Sequence, residues 1–348
     1  MNQIILLFLF SSLTLGTSIV ILSQHWFTIW LGLELSTLSL IPLINTNMNP
    51  RSNEATIKYF LIQAFSAALL LSGVTLNLWY TASWSIESTI NNFYSYSIIL
   101  IAIIIKLGLA PCHFWLPDVL GGLNFLNGII IASWQKIAPL FILLNLSYLL
   151  PHEGIILSSI LSILIGGWGG LNQTSIRKIL AFSSISHLGW IALTSFYSPN
   201  ASLMIFIFYL INNTLIFLIC STNNLIYLSN LNKCNISLYS SILIAIALLS
   251  LGGLPPLGGF INKIIPLTLI FYNNNLILAP ALFLGSLTSL YYYLRIIFNT
   301  SITLFPNNSL NLLIINSNTP NNLNSFISIL SPFPIFGLTF LSFIYSYL

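Results

Sequence analysis

Apolar runs long enough to cross a bilayer follow one another along almost the whole chain, parted by short polar stretches. A helix rises about 1.5 Å per residue, so roughly twenty apolar residues span a hydrocarbon core. Counting runs and breakers on that scale predicts about eleven transmembrane helices. Their spans are 3–22, 25–45, 54–80, 96–119, 123–149, 152–172, 175–196, 201–222, 238–272, 276–300 and 325–347. Asn, Ser, Thr and Pro dominate the separators at 45–52, 222–235 and 299–324. The pattern is that of an all-α membrane protein with no room for a soluble domain.

Two of these helices are interrupted. The apolar run Ile98 to Ile105 leads into Lys106, and Pro111 follows. Proline lacks the backbone donor and clashes with the preceding turn. A second break, Gly252-Gly253-Leu254-Pro255-Pro256-Leu257-Gly258-Gly259, lies inside 238–272 with Lys263 just beyond it. Broken helices persist in lipid only where protein or a hydrated cavity satisfies the freed backbone. A lysine at the bilayer centre costs roughly 2.5–3.5 kcal/mol on insertion scales, so it faces the protein interior. The breaks fall in the fourth helix of the set 1–5 and the fourth of the set 6–10. Sets of five start on opposite sides, which is the inverted-repeat layout whose discontinuous helices mark transport sites. The chain is accordingly divided into a first repeat at 1–149, a second at 150–300, and a loop with a C-terminal helix at 301–348.

Charge then fixes the orientation. Arg51 and Lys58, Arg177 and Lys178, Lys233 and Arg295 border the connections after helices 2, 6, 8 and 10; those after helices 1, 3, 5, 7 and 9 carry none. By the positive-inside rule the even connections and the N-terminus face the inner side. Lys58, Lys178 and Arg295 lie near helix ends, where snorkelling to the interface is the ordinary role. The first apolar run has no basic residue before it and reads as a membrane helix rather than a cleaved signal.

Composition excludes several classes. Hydrophobic residues make up 57% of the chain and charged residues 4%, against about 25% charged in soluble domains. The net charge of +4 rests on very few residues and gives no reason to expect a nucleic-acid partner. Cys112, Cys220 and Cys234 are far apart, which argues against a disulfide framework, a zinc site or an iron–sulfur cluster. The Gly166-Gly167-Trp168-Gly169-Gly170 run lies in an apolar helix, where small residues allow close packing rather than phosphate binding.

The candidate chemistry lies in the buried charges. Glu34 sits midway through helix 2, and Lys106 and Lys136 flank the 118–122 turn at equal sequence distance, which returns them to one depth. Lys263 completes a row of one acid and three lysines. Such a row supports proton transfer, since burial and a movable carboxylate are the two levers that bring a lysine into working range. Helices at normal separation leave gaps longer than one hydrogen bond, so water must bridge the steps. The plain alternative is a static Glu34–Lys106 pair that fixes packing, and it leaves Lys136 and Lys263 unexplained. His113, just after the first break, and His187, in helix 7, read equally as members of a hydrated path or as hydrogen-bonded packing elements. His25 and His152 lie at helix ends, and Glu54, Glu87 and Glu153 read as rim charges. Asp118 reads as a turn cap or a contact with another subunit.

The stretch Lys106-Leu-Gly-Leu-Ala-Pro-Cys-His-Phe-Trp-Leu-Pro-Asp118, with Glu34 before it and Lys136 and Lys263 after it, resembles the antiporter-like membrane subunits of respiratory complex I. That superfamily includes the Mrp-type cation/proton antiporters, and the likeness runs over essentially the whole chain. It implies that Glu34 is the acid of an acid–lysine pair, Lys106 its partner, Lys136 the central relay and Lys263 the terminal lysine. Some members carry glutamate at the last position, so the lysine narrows the branch. Bacterial members have three further N-terminal helices, so the start of this chain fits the animal form.

The resemblance also implies that this chain binds no NADH, flavin, quinone or iron–sulfur cluster, and that redox energy arrives from neighbouring subunits. Implied partners are the other membrane subunits, small and antiporter-like, and lipids such as cardiolipin, with no nucleic acid. The implied location is the mitochondrial inner membrane, multi-pass, with the N-terminus on the matrix side and the C-terminus on the intermembrane-space side. A stand-alone Mrp-like antiporter and a purely structural subunit are the rival readings.

Overall fold

The computed structural model describes residues 3–45, 49–86, 92–231, 238–302 and 321–337. The described residues form an almost wholly helical bundle. Its elements are α1 (Gln3–Leu22), α2 (Trp26–Ile44), α3 (Pro50–Thr81), α4 (Phe93–Leu107), α5 (Trp115–Gly122) and α6 (Phe125–Asn145). There follow α7 (His152–Gly169), α8 (Ile176–Tyr197), α9 (Pro199–Thr222), α10 (Leu238–Gly252), α11 (Ile261–Tyr272), α12 (Ala279–Ile302) and α13 (Asn321–Leu330). Eight helical segments are long and apolar enough to cross a membrane. The fourth predicted span is split into α4 and α5, and the ninth into α10 and α11. The tenth is α12, entered through a 3₁₀ turn at Leu276–Leu278. The eleventh, 325–347, lies partly outside the described residues, as do Lys233, Cys234 and Glu87.

The connections sort to two ends. The turn after α1 pairs with the one after α3, where Trp26 N–H donates to Trp84 O at 3.0 Å and Ile86 N–H to Gln24 O at 3.1 Å. His25 stacks on Trp84 there, with ring centroids 5.6 Å apart. His152 meets Phe196 at 4.8 Å, and Asn275 Nδ2 donates to the Tyr197 hydroxyl at 2.9 Å, which joins three more connections of that end. At the other end Ile176 N–H donates to Ile226 O at 3.1 Å and Leu228 N–H to Thr174 O at 3.0 Å. Arg177 donates to Leu123 O in the α5–α6 turn, and Arg295 Nη1 to Leu171 O at 2.8 Å. The helices therefore alternate up and down, and the basic residues gather at one end as the charge pattern requires.

α8 is the helix most enclosed by others, and it packs on α7, α9, α11 and α5. Its closest approach is to α7: a Cβ on Gly166 would stand 2.7 Å from Ser186 N. That is the close packing expected of the glycine run. The face of α2 bearing Phe27, Leu31, Leu35 and Leu38, by contrast, is exposed.

Two rim expectations change. Lys58 does not merely snorkel, and Asp118 does not cap a turn. Lys58 Nζ bonds Glu54 at 2.7 Å and Asp118 at 2.8 Å, tying α3 to α5. The reason is local: a Cβ on Gly122 would lie 2.7 Å from Arg51 O, so only glycine lets α5 end this close to α3.

Candidate functional site

Each break solves the same problem, a half-helix whose last carbonyls have lost their donors. At the first, Gly108 takes φ 75°, in the left-handed region that glycine adopts without strain. Its N–H donates to Ile104 O at 3.0 Å and Ile105 O at 3.2 Å. From the far side of the break, Trp115 Nε1 donates to Ile105 O at 3.1 Å. At the second, Gly253 takes φ 74°, and Lys263 reaches back across the break so that its Nζ donates to Gly252 O.

Lys106 stands before its break, in the last turn of α4. It is 3% exposed, and its Nζ has no hydrogen-bond partner in the protein. Glu34, half-buried on α2, accepts from Thr37 Oγ1 at 3.3 Å on Oε2. The two are not in ion-pair contact: among the described residues the only ion pairs are those of Lys58. Glu34 is still close enough for its charge to act on Lys106 and on the Tyr59 hydroxyl. Tyr59 packs on Trp115 at 6.1 Å, so the acid, the lysine and the capping indole share one neighbourhood. His113 is buried within the break; its Nδ1 lies 3.2 Å from Pro111 O, and its ring lies 4.2 Å from that of Phe114. Among the described residues these are its contacts, and neither is with a lysine.

Lys136 follows a π-helical stretch, Ile130–Trp134, in the middle of α6. π-bulges inside α-helices are frequent at functional sites. Pro139 cannot donate to the carbonyl of residue 135, so regular pairing fails on that side as well. Lys136 is 2% exposed, and its Nζ lacks a hydrogen-bond partner but lies 5.9 Å over the Tyr209 ring. A cation over an aromatic face is held by the ring quadrupole. α4 packs on the second half of α6, which makes the Lys106 and Lys136 helices neighbours.

His187, from α8, shares the Tyr209 ring with Lys136. Its ring lies 5.5 Å from that of Tyr209, and its Nε2 is 3.3 Å from the Tyr293 hydroxyl of α12. The charges of both Lys136 and Lys263 act on it. Tyr209 in turn donates to Ala132 O in the π-stretch at 3.4 Å and accepts from Asn213 Nδ2 at 3.2 Å. Five helices thus meet at one polar cluster inside an apolar bundle. Sequence reasoning missed Tyr59, Trp115, Tyr209 and Tyr293, because an aromatic in an apolar run carries the same periodic signal as core. Asn212-Asn213 was the available clue, an amide pair amid an otherwise apolar helix.

The sequence model of the NADH:quinone oxidoreductase/Mrp antiporter transmembrane family matches residues 23–289. Among curated relatives, NADH-ubiquinone oxidoreductase chain 2 of Paracentrotus lividus is 50% identical over 313 residues, covering 90% of this chain and 89% of its own. The chain of the same name from Squalus acanthias is 44% identical over 308 residues, 88% of each. A chain in the structure of respiratory complex I from Thermus thermophilus aligns with TM-score 0.83 at 26% identity, over 95% of this chain and 77% of that one. A chain of the Mrp complex from Dietzia aligns with TM-score 0.75 at 18% identity, over 83% and 59%, and shares the fold.

Proposed function

Because the chain belongs to the NADH:quinone oxidoreductase/Mrp antiporter family, we propose that it moves protons through the row Glu34, Lys106, Lys136 and Lys263. It is a core membrane-arm subunit of respiratory complex I, the NADH-ubiquinone oxidoreductase, and its partners are other subunits of that complex. The observation that carries the relay is that Lys106 and Lys136, both inside the bundle, have Nζ groups with no hydrogen-bond partner in the protein. A structural lysine would be tied by a carboxylate or a carbonyl; these two have their donors free for water.

The steps follow from chemistry. With Glu34 ionised nearby, Lys106 holds its proton. When Glu34 is neutralised or drawn aside, Lys106 loses its stabilising partner and gives the proton to Lys136 through water. Lys136 passes it towards Lys263 by way of His187, whose ring lies against Tyr209 and whose Nε2 meets Tyr293. His113 takes no part in this route. The half-exposed position of Glu34, beside the bare Leu31, Leu35 and Leu38, suits control by a neighbouring subunit lying on that face. Electron carriers belong to other subunits, and this chain holds none. The location is the mitochondrial inner membrane, the N-terminus and the basic end facing the matrix and the C-terminus the intermembrane space. The chain comprises two five-helix inverted repeats, 1–149 and 150–300, and a terminal segment at 301–348.

Two measurements test this. On a native gel of mildly solubilised membranes the chain should migrate with NADH dehydrogenase activity in an assembly far larger than its own 38.7 kDa. Migration as a small species away from that activity would mean a separate antiporter. In assembled complex, Glu34→Gln and Lys106→Met should abolish most proton pumping per NADH oxidised; unchanged pumping would leave the charges a structural role only.

A further inference from the structure

The second break is closed from outside as well as from within. α10 ends at Gly252, and its last carbonyls need donors. Gly253 N–H donates to Ser250 O at 3.0 Å, and Leu254 N–H to Leu249 O at 3.3 Å. The 3₁₀ turn Gly258–Phe260 folds back onto that closing turn, with Gly259 so near Ser250 O that a Cβ there would overlap it. Lys263 lies along the same turn. A Cβ on Gly253 would be 2.7 Å from its Cδ, and its Nζ donates to Gly252 O.

What presses on the 3₁₀ turn is the far end of the chain. After α13, whose Ile327 is buried in the core, Ser331 N–H donates to Ile327 O at 3.0 Å and a short helical turn follows at Pro332–Phe336. This segment packs on α9, on α10 and on the 3₁₀ turn. The approach is backbone to backbone. A Cβ on Gly258 would lie 2.7 Å from Gly337 Cα and 3.0 Å from Phe333 O, and one on Gly337 would lie 2.5 Å from Gly258 Cα. Neither position has room for a side chain, and a backbone atom cannot swing aside as the end of a long side chain can. The same Cβ on Gly337 would meet the Phe208 ring at 3.4 Å, one residue before Tyr209. A series of close contacts thus runs from Gly337 through Gly258, Gly259 and the turn Ser250–Gly253 to the stem of Lys263. Interiors packed this tightly transmit displacement rather than absorb it.

We propose that the segment Ser331–Gly337 is a positioning element for Lys263. By seating Gly337 on Gly258 it holds the 3₁₀ turn against α10 and fixes where the terminal ammonium stands. The first break is braced by its own Trp115 instead. The C-terminal piece is then not an addition outside the repeats but the brace of the second. The placement rests on geometry alone; its consequence for proton transfer rests on the relay proposed above.

The test uses the whole complex carrying Gly337→Ala, Gly258→Ala or, as a control for crowding elsewhere, Gly285→Ala, which would press on Ile163 between α12 and α7. In cryo-electron maps of the Gly337→Ala and Gly258→Ala complexes, Lys263 Nζ should stand beyond hydrogen-bond reach of Gly252 O, with Lys106 and Trp115 unmoved. Pumping per NADH oxidised should fall by about tenfold, because misplacing a reacting group by about 1 Å can cost that much and more. Gly285→Ala should keep Lys263 on Gly252 O and pump normally, whatever its cost in thermal stability. An unmoved Lys263 in the first two variants overturns the proposal, and so does an equal pumping loss in Gly285→Ala. A displaced Lys263 with normal pumping upholds the brace and overturns the use of Lys263 in the relay, so the two readings fail separately. Should neither variant assemble, the native complex decides alone. By hydrogen exchange the peptides covering 254–260 and 327–337 should open as one unit with the same protection. Independent exchange of the two overturns the proposal.

Discussion

The two broken helices carry the same residues in opposite order. At α4–α5 the lysine precedes the break, and a neutral indole, Trp115, caps the exposed carbonyl at 3.1 Å. At α10–α11 the lysine follows the break and is itself the cap, with Lys263 Nζ on Gly252 O. The first arrangement separates architecture from chemistry, because Trp115 holds the turn and Lys106 is free to exchange a proton. The second fuses them, so Lys263 cannot move its ammonium away without opening the turn it closes, and losing a proton weakens that donor. A break built the first way suits a group whose charge changes repeatedly, and one built the second way suits a terminal position where proton release and helix geometry change together.

The largest effect should come from the free lysine. Lys106→Met should leave the complex assembled while pumping falls by about tenfold or more, in the range of a lost acid–base group. Assembly is read from a native gel and pumping from proton uptake at matched NADH oxidation. Retained pumping would end the separation of roles argued above. Lys263 is then split by two substitutions. Lys263→Arg keeps a donor for Gly252 O but cannot be deprotonated, so it should assemble normally and still lose proton transfer. Lys263→Met loses both and should also cost about 1–3 kcal/mol through the orphaned carbonyl, seen as a lower inactivation temperature. Equal stability of the two variants would show that the cap does not matter.

The breaks were legible in the sequence because Lys, Gly and Pro are each anomalous in an apolar helix. Lys106, Lys136 and Lys263 stood out for the same reason, and so did the alternation of basic and neutral connections. The partners of these residues were not legible. Nothing in the sequence distinguishes Tyr209 or Trp115 from a core aromatic, and no local signal marks the π-stretch at Ile130–Trp134. The Glu34–Lys106 pairing was legible but its geometry was not: among the described residues no ion pair joins the two. Sequence shows that two charges share a region, while the gap between them depends on how α2 and α4 pack. For Asp118 the sequence offered a turn cap or a contact with another subunit; its partner within the chain, Lys58, lies on another helix, brought near by a glycine whose need appears only in three dimensions.

Smaller effects sharpen the same contrast. Gly108→Ala and Gly253→Ala each force a left-handed residue, at about 1–2 kcal/mol. The second should be worse for pumping, because the new methyl would lie 2.7 Å from Lys263 Cδ, whereas the first meets Leu116 Cδ1 at 3.0 Å. Pumping ratios of the two variants, compared at equal complex content, decide it. Trp115→Phe should cost about 0.5–1.5 kcal/mol of thermal stability for the lost hydrogen bond and leave pumping per electron near normal. If pumping fell as far as in Lys106→Met, the indole would be part of the relay rather than its brace.

The smallest effect is expected at Lys58. Its pair with Asp118 ties the basic-end half of the first broken helix to α3, and among the described residues the second broken helix has no such tie. Lys58 and both its carboxylates are open to solvent, so hydration and salt screen the attraction strongly. Lys58→Met should therefore leave assembly and pumping close to native at physiological salt, with a slight loss of thermal stability that shrinks further as salt is added. A large pumping loss would mean that α5 must be held from outside for Trp115 to cap Ile105. The first break would then depend on a charge after all, as the second does.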